Sequence, residues 1–584
     1  MLESRASVIR GLVSIGALLL LGHCTPDEPS WSNNSPRSPA AAAVSASRLL
    51  RAQRQGALDA VVREPLRARR APVLARTLAA DASDVPERFR PLSASIEAER
   101  VAQGIPGLAI AIVEGGELSF ARGFGSKDPD GVDGVLPSTL FRLASNTKPF
   151  TALSVLQQVD RGELAIDDTL VERLPGFGLD ATPEALPAVT LRQLLSHTSG
   201  LADHLDVEVP DEQKTDAALR EFLLGPFREL GYFQSPPGAL FSYSNVGFSL
   251  LGLVAEVSAD VAFRALVRER IWGPLGMART FFDPSEVLAD GDYALGVCTP
   301  GAPDCAGEGL GSVFAPDSYD APSSAPAAAA WSSVLDLAKW ARFLVHGDPR
   351  VLSNALRAEM ATPQVSTRFF GDVLSYGLGL EQQSVLVVQP DPEGEAQFYA
   401  APEIYHTGML PGFRSIVLCI PSIDFCFIAL ANYDDANFYA MELAALRLAT
   451  LPEPVAPPEV APVPGRFPEY VGSYLDPFAL GLLTVSSDGH GSLQLDWPLL
   501  DQLGVPYGHA LTPTYVDNFT VEIAGDLWPV TFLAGPGGGF DYLRTLDRSV
   551  ATRWELVGVA SVSGALTAPV APVRLRDALE RRDF

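Results

Sequence analysis

Lysine is almost missing from this chain of 584 residues. Lys127, Lys148, Lys214 and Lys339 are the four present, and the other 39 of 43 basic residues are arginines. Basic charge as a whole is short as well: 43 basic against 70 acidic residues gives a formal charge of −27. Such a surface repels phosphate backbones, so nucleic acid is excluded as a partner class. Charged residues amount to 19% while hydrophobic residues reach 47%, with a mean hydropathy of +0.15, which excludes wholesale disorder. Cysteine occurs five times, never as CxxC, and no HExxH is present. A structural or proteolytic zinc site therefore has no support, and no metal or cofactor is expected. No serine stands in a GxSxG frame, so the nucleophile elbow of α/β-hydrolases is absent.

What is present begins with an address. Arg5 and Arg10 precede an apolar or small run from Gly11 to Gly22, too short to span a bilayer and matching the core of a secretory signal peptide over 1–24. It stops at Leu21-Gly22-His23-Cys24, which resembles a bacterial lipoprotein box in which Cys24 is lipidated. His23 departs from the small residue usual there, and a signal peptide cut slightly later is the alternative. Either way the mature protein is expected outside the cytoplasm, in the periplasm or anchored to the outer membrane. The other cysteines, Cys298 with Cys305 and Cys419 with Cys426, form two close pairs suited to disulfides in an oxidising compartment.

The stretch 25–84 reads as a linker. Thr25 to Ser47 is rich in Pro, Ser, Asn and Ala, and Arg48 to Arg76 carries eight arginines against Asp59 and Glu64. Contact with anionic lipid or cell-wall polymer is one use for that charge; a solvated helical linker is the favoured reading. A packed region spans 85–450. Gly107–Glu114 and Glu117–Gly125 read as strands joined by Gly115-Gly116, a hairpin signal. Helical spacing follows from Ser145 to about Arg279, clearest at Thr151–Val159 and Phe248–Val257, and Phe282–Ser324 is loop-rich. Strand character returns at Ile404–His406, Ser415–Ile420 and Phe425–Ala431. Strands at both ends with helices between imply an α+β fold, one antiparallel sheet flanked by a helical region. If the turn after Pro421 centres on Ser422-Ile423, Cys419 lies directly across from Cys426. The segment 451–468 holds seven prolines and reads as a semi-rigid spacer. Beyond it, 469–584 shows short alternating runs at Leu493–Trp497, Phe519–Ile523, Val530–Leu533, Phe540–Leu543 and Trp554–Val557, an all-β domain of small-barrel type.

The chemistry starts at Ser145-Asn146-Thr147-Lys148, which opens a helical pattern. A three-residue offset puts Ser145 and Lys148 on one face, and a helix N-terminus favours a developing alkoxide. A desolvated lysine can accept a proton whereas arginine cannot, so lysine here, in a chain that nearly always uses arginine, points to that ability. Tyr243-Ser244-Asn245 is expected in an extended loop, where Tyr243 and Asn245 face the same cleft. His406-Thr407-Gly408 sits at a strand end before Met409, where the backbone can offer a donor to an oxyanion. His197 reads as a structural residue outside the site. His204, His346, His490 and His509 are assigned nothing.

SxxK, YxN and [KH]-[TS]-G in this order resemble the serine β-lactamase and penicillin-binding superfamily, in particular class C β-lactamases, DD-peptidases and related esterases. Supporting phrases are Leu191 to Leu201 (LRQLLSHTSGL), Phe241 to Asn245 (FSYSN) and Pro274 to Met277 (PLGM). The resemblance covers about Val85 to Leu448. It implies Ser145 as acylated nucleophile, Lys148 as aid to its deprotonation, and Tyr243 as general base and then acid. Asn245, His406 and Gly408 would bind substrate, and the backbone amides of Ser145 and Met409 would form the oxyanion hole. Two departures stand out. His406 replaces a lysine that lies near the substrate carboxylate in β-lactamases and DD-peptidases, which shifts the expected chemistry toward esters or amides. Ala327 to Trp331 replaces a region where paired glycines are common. The expected reading is a secreted, lipid-anchored serine hydrolase acting on a small ester, amide or D-amino-acid peptide. A true β-lactamase or D-Ala-D-Ala carboxypeptidase, and a non-catalytic lipoprotein that binds cell-wall peptide, are the alternatives.

Overall fold

The computed structural model describes residues 85–554 apart from 129–130, 204–213, 299–312, 320–321, 389–396, 459–465, 479, 489–491, 524–525, 536 and 546–547. The leader with Cys24, the tether, the arginine-rich segment and Cys305 lie outside the described residues. The centre of the first domain is a seven-stranded sheet. Its strands are β1 (Gly107–Glu114), β2 (Glu117–Gly125), β3 (Val365–Tyr376), β4 (Glu381–Gln383), β5 (Glu403–Leu410), β6 (Phe413–Ile420) and β7 (Phe425–Ala431). They lie in the order β2-β1-β7-β6-β5-β4-β3, every neighbouring pair antiparallel. The α+β layout expected from the sequence is the one observed.

Local chemistry explains the elements. Gly115 and Gly116 have φ of 59° and 73°, the mirror-image turn that suits a tight hairpin's twist. β1 is apolar at nearly every position because both sheet faces are covered. Ala109, Ala111 and Val113 face one core, and Leu108, Ile110 and Ile112 face the other. The second face is closed by α1 (Arg90–Ala102) and by a helix, Tyr439–Leu446, near the end of the domain. The first face carries α2 (Lys148–Asp160), α3 (Asn245–Ala259) and α4 (Val334–His346). Helix α3 is buried over nearly its whole length, which accounts for its apolar composition.

Cys419 and Cys426 are paired in the β6–β7 register with Cα atoms 4.0 Å apart and form a disulfide across the hairpin. The turn between them is the short helix Pro421–Ile423, closed by Asp424 at φ 50°. Cys298 is also disulfide-bonded.

Two expectations need correction. The proline-rich segment is not wholly a spacer: Pro454–Val455 pairs with Gln397–Tyr399 as the edge of a three-stranded sheet, and Phe467–Tyr470 already forms a helix. The YxN segment is not an extended loop through Asn245. Ser244 is the N-cap, its Oγ accepting from Gly247 N, and Asn245 is the first residue of α3. A serine before an apolar run is a helix start signal, and that local rule prevails here.

The second domain is a closed eight-stranded barrel. Its strands are β8 (Gly472–Asp476), β9 (Gly481–Ser487), β10 (Leu493–Asp496), β11 (Ala510–Tyr515), β12 (Asn518–Ile523), β13 (Asp526–Leu533), β14 (Tyr542–Thr545) and β15 (Ser549–Arg553). Tyr470, Trp497, Phe519 and Phe532 pack inside it. β8, β9 and β11 were not anticipated individually. The last strand among the described residues is Ser549–Arg553, and the expected run Trp554–Val557 lies, beyond Trp554, outside the described residues. The barrel rests on the first domain through Tyr515 with Phe241, Phe369 and Tyr376, and through Leu533, Tyr542 and Val550 with Leu240.

Candidate active site

Ser145 lies in a 3-10 turn, Ala144–Thr147, that runs directly into α2. The turn is held from several sides. Leu143 N donates to Ala330 O, Ala330 N donates to Thr147 Oγ1, and Thr147 Oγ1 donates to Ala144 O. Asn146 Nδ2 donates to Ser415 Oγ at 2.8 Å, and that hydroxyl donates to Leu143 O at 2.7 Å. Ala144 has φ 48°, a left-handed backbone that costs a non-glycine residue about 1–3 kcal/mol and that these bonds maintain. The strain falls on the residue that aims Ser145.

Lys148 is fully buried. Its Nζ lies 3.0 Å from Ser145 Oγ, 2.5 Å from Asn245 Oδ1 and 3.1 Å from Ala327 O. Three oxygens around one nitrogen suit either an ammonium or an amine receiving a proton from the serine. The face of Tyr243 is 4.8 Å from the same nitrogen and that of Phe248 is 5.7 Å away. Ser145, Lys148, Tyr243 and Asn245, picked from two separate motifs, thus share one pocket. Ala327, noted only for its unusual composition, contributes a carbonyl to it.

The third motif enters from the sheet. Gly408 on β5 comes so close to the turn that a Cβ there would lie 2.1 Å from Leu143 O, 2.4 Å from Ser415 Oγ and 3.1 Å from Ser145 N. Only glycine permits that approach. Thr407 N donates to Glu381 Oε1 at 3.2 Å, on the β4 side of the strand. Strand alternation turns the Met409 N–H the same way, beyond Tyr405, the last β5 residue paired with β4. It therefore points away from β6, on the side of the strand where Thr407 N meets Glu381.

His406 is placed in the cleft wall and is buried. Its Nδ1 is 2.6 Å from Thr407 O, which can only accept, so Nδ1 carries the proton. Nε2 then accepts from Tyr376 OH at 3.0 Å. Burial, followed by the charge of Lys148, drives its pKa down to about 3. The imidazole is neutral, and both its nitrogens are used within the protein. Within the protein it meets Tyr376 and the Thr407 carbonyl, in the cleft wall where substrate contact was expected of it.

Four residues of the site were not picked out from the sequence. His197, set aside as structural, has its ring centroid 4.2 Å from that of Tyr243 and accepts from Ser244 N through Nδ1 at 3.0 Å. Burial and then the Lys148 charge hold it well below the ordinary histidine range. It sits at φ 56°, a second left-handed residue beside the cleft. Asp203 accepts from both Asn245 N (2.7 Å) and Asn245 Nδ2 (2.9 Å). Tyr376 and Arg548 complete the set, Arg548 lying 5.7 Å from the Tyr243 ring centroid. His197 alone had a local signal, its place in the SHTSG phrase; the others are joined to the site by long-range packing. Among the described residues no group of His, Cys, Asp or Glu is arranged to hold a metal ion.

Residues 93–451 match the family model described as Beta-lactamase. The chain is 26% identical over 345 residues to Protein flp of Staphylococcus aureus strain MW2, covering 56% of this chain and 60% of that protein. It is 32% identical over 192 residues to Penicillin-binding protein 4 of Amycolatopsis lactamdurans, covering 33% of this chain and 49% of that one. The chain thus spans about half to three fifths of the length of these relatives. The crystal structure of SurE is similar in fold, with a TM-score of 0.60 and 23% identity over 81% of this chain and 100% of that one.

Proposed function

Because this chain belongs to the β-lactamase family, we propose that it is a serine hydrolase working through an acyl-enzyme on Ser145. The observation that carries the reading is the buried Lys148 amine 3.0 Å from Ser145 Oγ, with Tyr243 beside it and glycine-only access for β5. Ser145 attacks the substrate carbonyl, its proton passes toward Lys148 and Tyr243, and the oxyanion is received by the amides of Ser145 and Met409. A protein that merely bound cell-wall peptide would have no need of this proton-transfer set. A fluorophosphonate probe should label wild-type protein once, on the peptide containing Ser145, and should not label Ser145→Ala. Absence of label on the folded wild type would overturn the reading.

The substrate class follows from His406. A neutral imidazole with both nitrogens engaged offers no cation to a substrate carboxylate at that position. Neutral esters or amides are therefore favoured over penicillins and D-Ala-D-Ala peptides, although one relative is named as a penicillin-binding protein. A panel of p-nitrophenyl esters beside nitrocefin separates these classes, and a higher kcat/KM for nitrocefin would reverse the preference. Export with lipidation at Cys24 remains our reading of the leader. A clickable palmitate analogue should mark the wild type and not Cys24→Ser.

A further inference from the structure

Strands β14 and β15 of the barrel, with Arg548 just before β15, touch the segment 234–243 that carries Tyr243, and also β3. Arg544, fully buried, donates to Phe241 O at 2.8 Å and to Thr367 O at 2.6 Å. The carbonyl of Arg548 accepts from Gln234 Nε2 at 2.5 Å and from Ser242 Oγ at 3.3 Å. Val550 N donates to Gln234 Oε1 at 3.1 Å. The Arg548 guanidinium lies over the Tyr243 ring, and its Nη1 is 3.1 Å from Asp203 Oδ2.

Asp203, with a side chain 7% exposed, accepts from the backbone and the amide nitrogen of Asn245. That arrangement decides which way the Asn245 amide faces. With Nδ2 on the carboxylate, Oδ1 is presented to Lys148 Nζ at 2.5 Å. A flipped amide would set oxygen against carboxylate and NH₂ against the lysine. One polar path therefore runs Arg548–Asp203–Asn245–Lys148–Ser145, from the second domain to the nucleophile.

We propose that Arg548 is a positioning residue of the active site: it fixes Asp203, through it the Asn245 amide, and so the aim of Lys148, which makes the barrel part of the catalytic unit. Arg548 acts through other residues and needs no contact with substrate. Its loss lowers kcat and leaves KM nearly unchanged, on the scale of 10²-fold that a slight misplacement of catalytic groups costs. The proposal rests on the acyl-enzyme reading above.

The test uses the full chain, a p-nitrophenyl ester, and fluorophosphonate labelling rates for wild type, Arg548→Ala, Arg548→Lys, Asp203→Asn and the Arg548→Ala/Asp203→Asn double variant. Circular dichroism and melting temperature control for folding. The expected result is a fall of about 10²-fold in kcat for Arg548→Ala at constant KM, recovery to within about fivefold in Arg548→Lys, and a double variant no slower than Asp203→Asn alone. Wild-type labelling rates in Arg548→Ala, a loss confined to KM, or additive losses in the double variant would overturn the proposal. So would a loss in Arg548→Ala that Arg548→Lys does not restore although both fold. An inert wild type would instead bring down the acyl-enzyme reading, and this proposal with it, before any variant is compared.

Discussion

Replacing Lys148 by arginine keeps the positive charge and removes the ability to take a proton, which makes it the sharpest test of the mechanism. Lys148 Nζ sits among Asn245 Oδ1, Ser145 Oγ and Ala327 O at 2.5, 3.0 and 3.1 Å in a pocket closed to solvent. A guanidinium brings five donors into a space shaped for one nitrogen, and each donor left unmet there costs about 1–3 kcal/mol. Crowding against the rings of Tyr243 and Phe248 adds about 1–3 kcal/mol. Those terms act on stability. The rate suffers separately, because loss of a positioned base costs about 10²–10⁴, or about 2.7–5.4 kcal/mol in the barrel-buttressed site's activation free energy. Lys148→Met separates the two effects, since it keeps an unbranched stem and has neither charge nor extra bulk. The assay is the acylation burst with an activated p-nitrophenyl ester, beside melting curves for each variant. Both variants should be slow by similar factors while differing in stability. If folded Lys148→Arg acylates within about tenfold of wild type, the lysine is an electrostatic prop and Tyr243 alone is the base.

Three further outcomes are expected. Gly408→Ala should lower the acylation rate by about 10²-fold or more, because its Cβ must push β5 away from Leu143 O and Ser145; an unaffected burst would refute the close approach. Burial raises the Glu442 carboxyl from 4.5 to about 8, and Glu403 beside it is also raised. The folded protein then holds protons that the unfolded chain releases, so the contribution of this pair to stability is full below about pH 4.5 and declines as the pH rises toward 8. Urea unfolding across that window should show the decline in wild type and a flatter profile in Glu442→Gln; identical profiles would refute it. The Cys419–Cys426 bridge closes a short loop, and its removal in a Cys419→Ala/Cys426→Ala variant should cost about 2.5 kcal/mol by the chain-entropy relation. Unchanged urea unfolding would rule that out, as would free thiols at both positions in denatured, unreduced wild type.

Much of the site was legible because its chemistry is carried by short-range patterns. Ser145 with Lys148 needs one helical turn, Gly107–Gly125 needs a hairpin turn of two glycines, and Cys419 with Cys426 needs a strand register; each depends on neighbours a few residues apart. The order of the three motifs then placed Tyr243, Asn245 and His406 around the same cleft before any distance was known. The start of α3 at Asn245 was also written locally, in Ser244 as a cap, although the YxN pattern read as a loop obscured it.

Other features had no local sign. His406 looks the same in sequence whether it is a solvated substrate ligand or a buried neutral ring. Its state is decided by burial and by the Lys148 charge, and its Nε2 is met by Tyr376, thirty positions away on another strand. Asp203 and Arg548 are 345 residues apart, and nothing in either segment's composition announces that they meet. Periodicity and capping report the backbone's own preferences, so the sequence alone determined the elements, the hairpins and the nucleophile's immediate partners. The seating of the barrel depends on two finished surfaces meeting, Tyr515 against Phe241 and Arg544 against the carbonyls of Phe241 and Thr367. Those contacts exist only after both cores have closed, and tertiary packing alone decided that a second domain would border the active site.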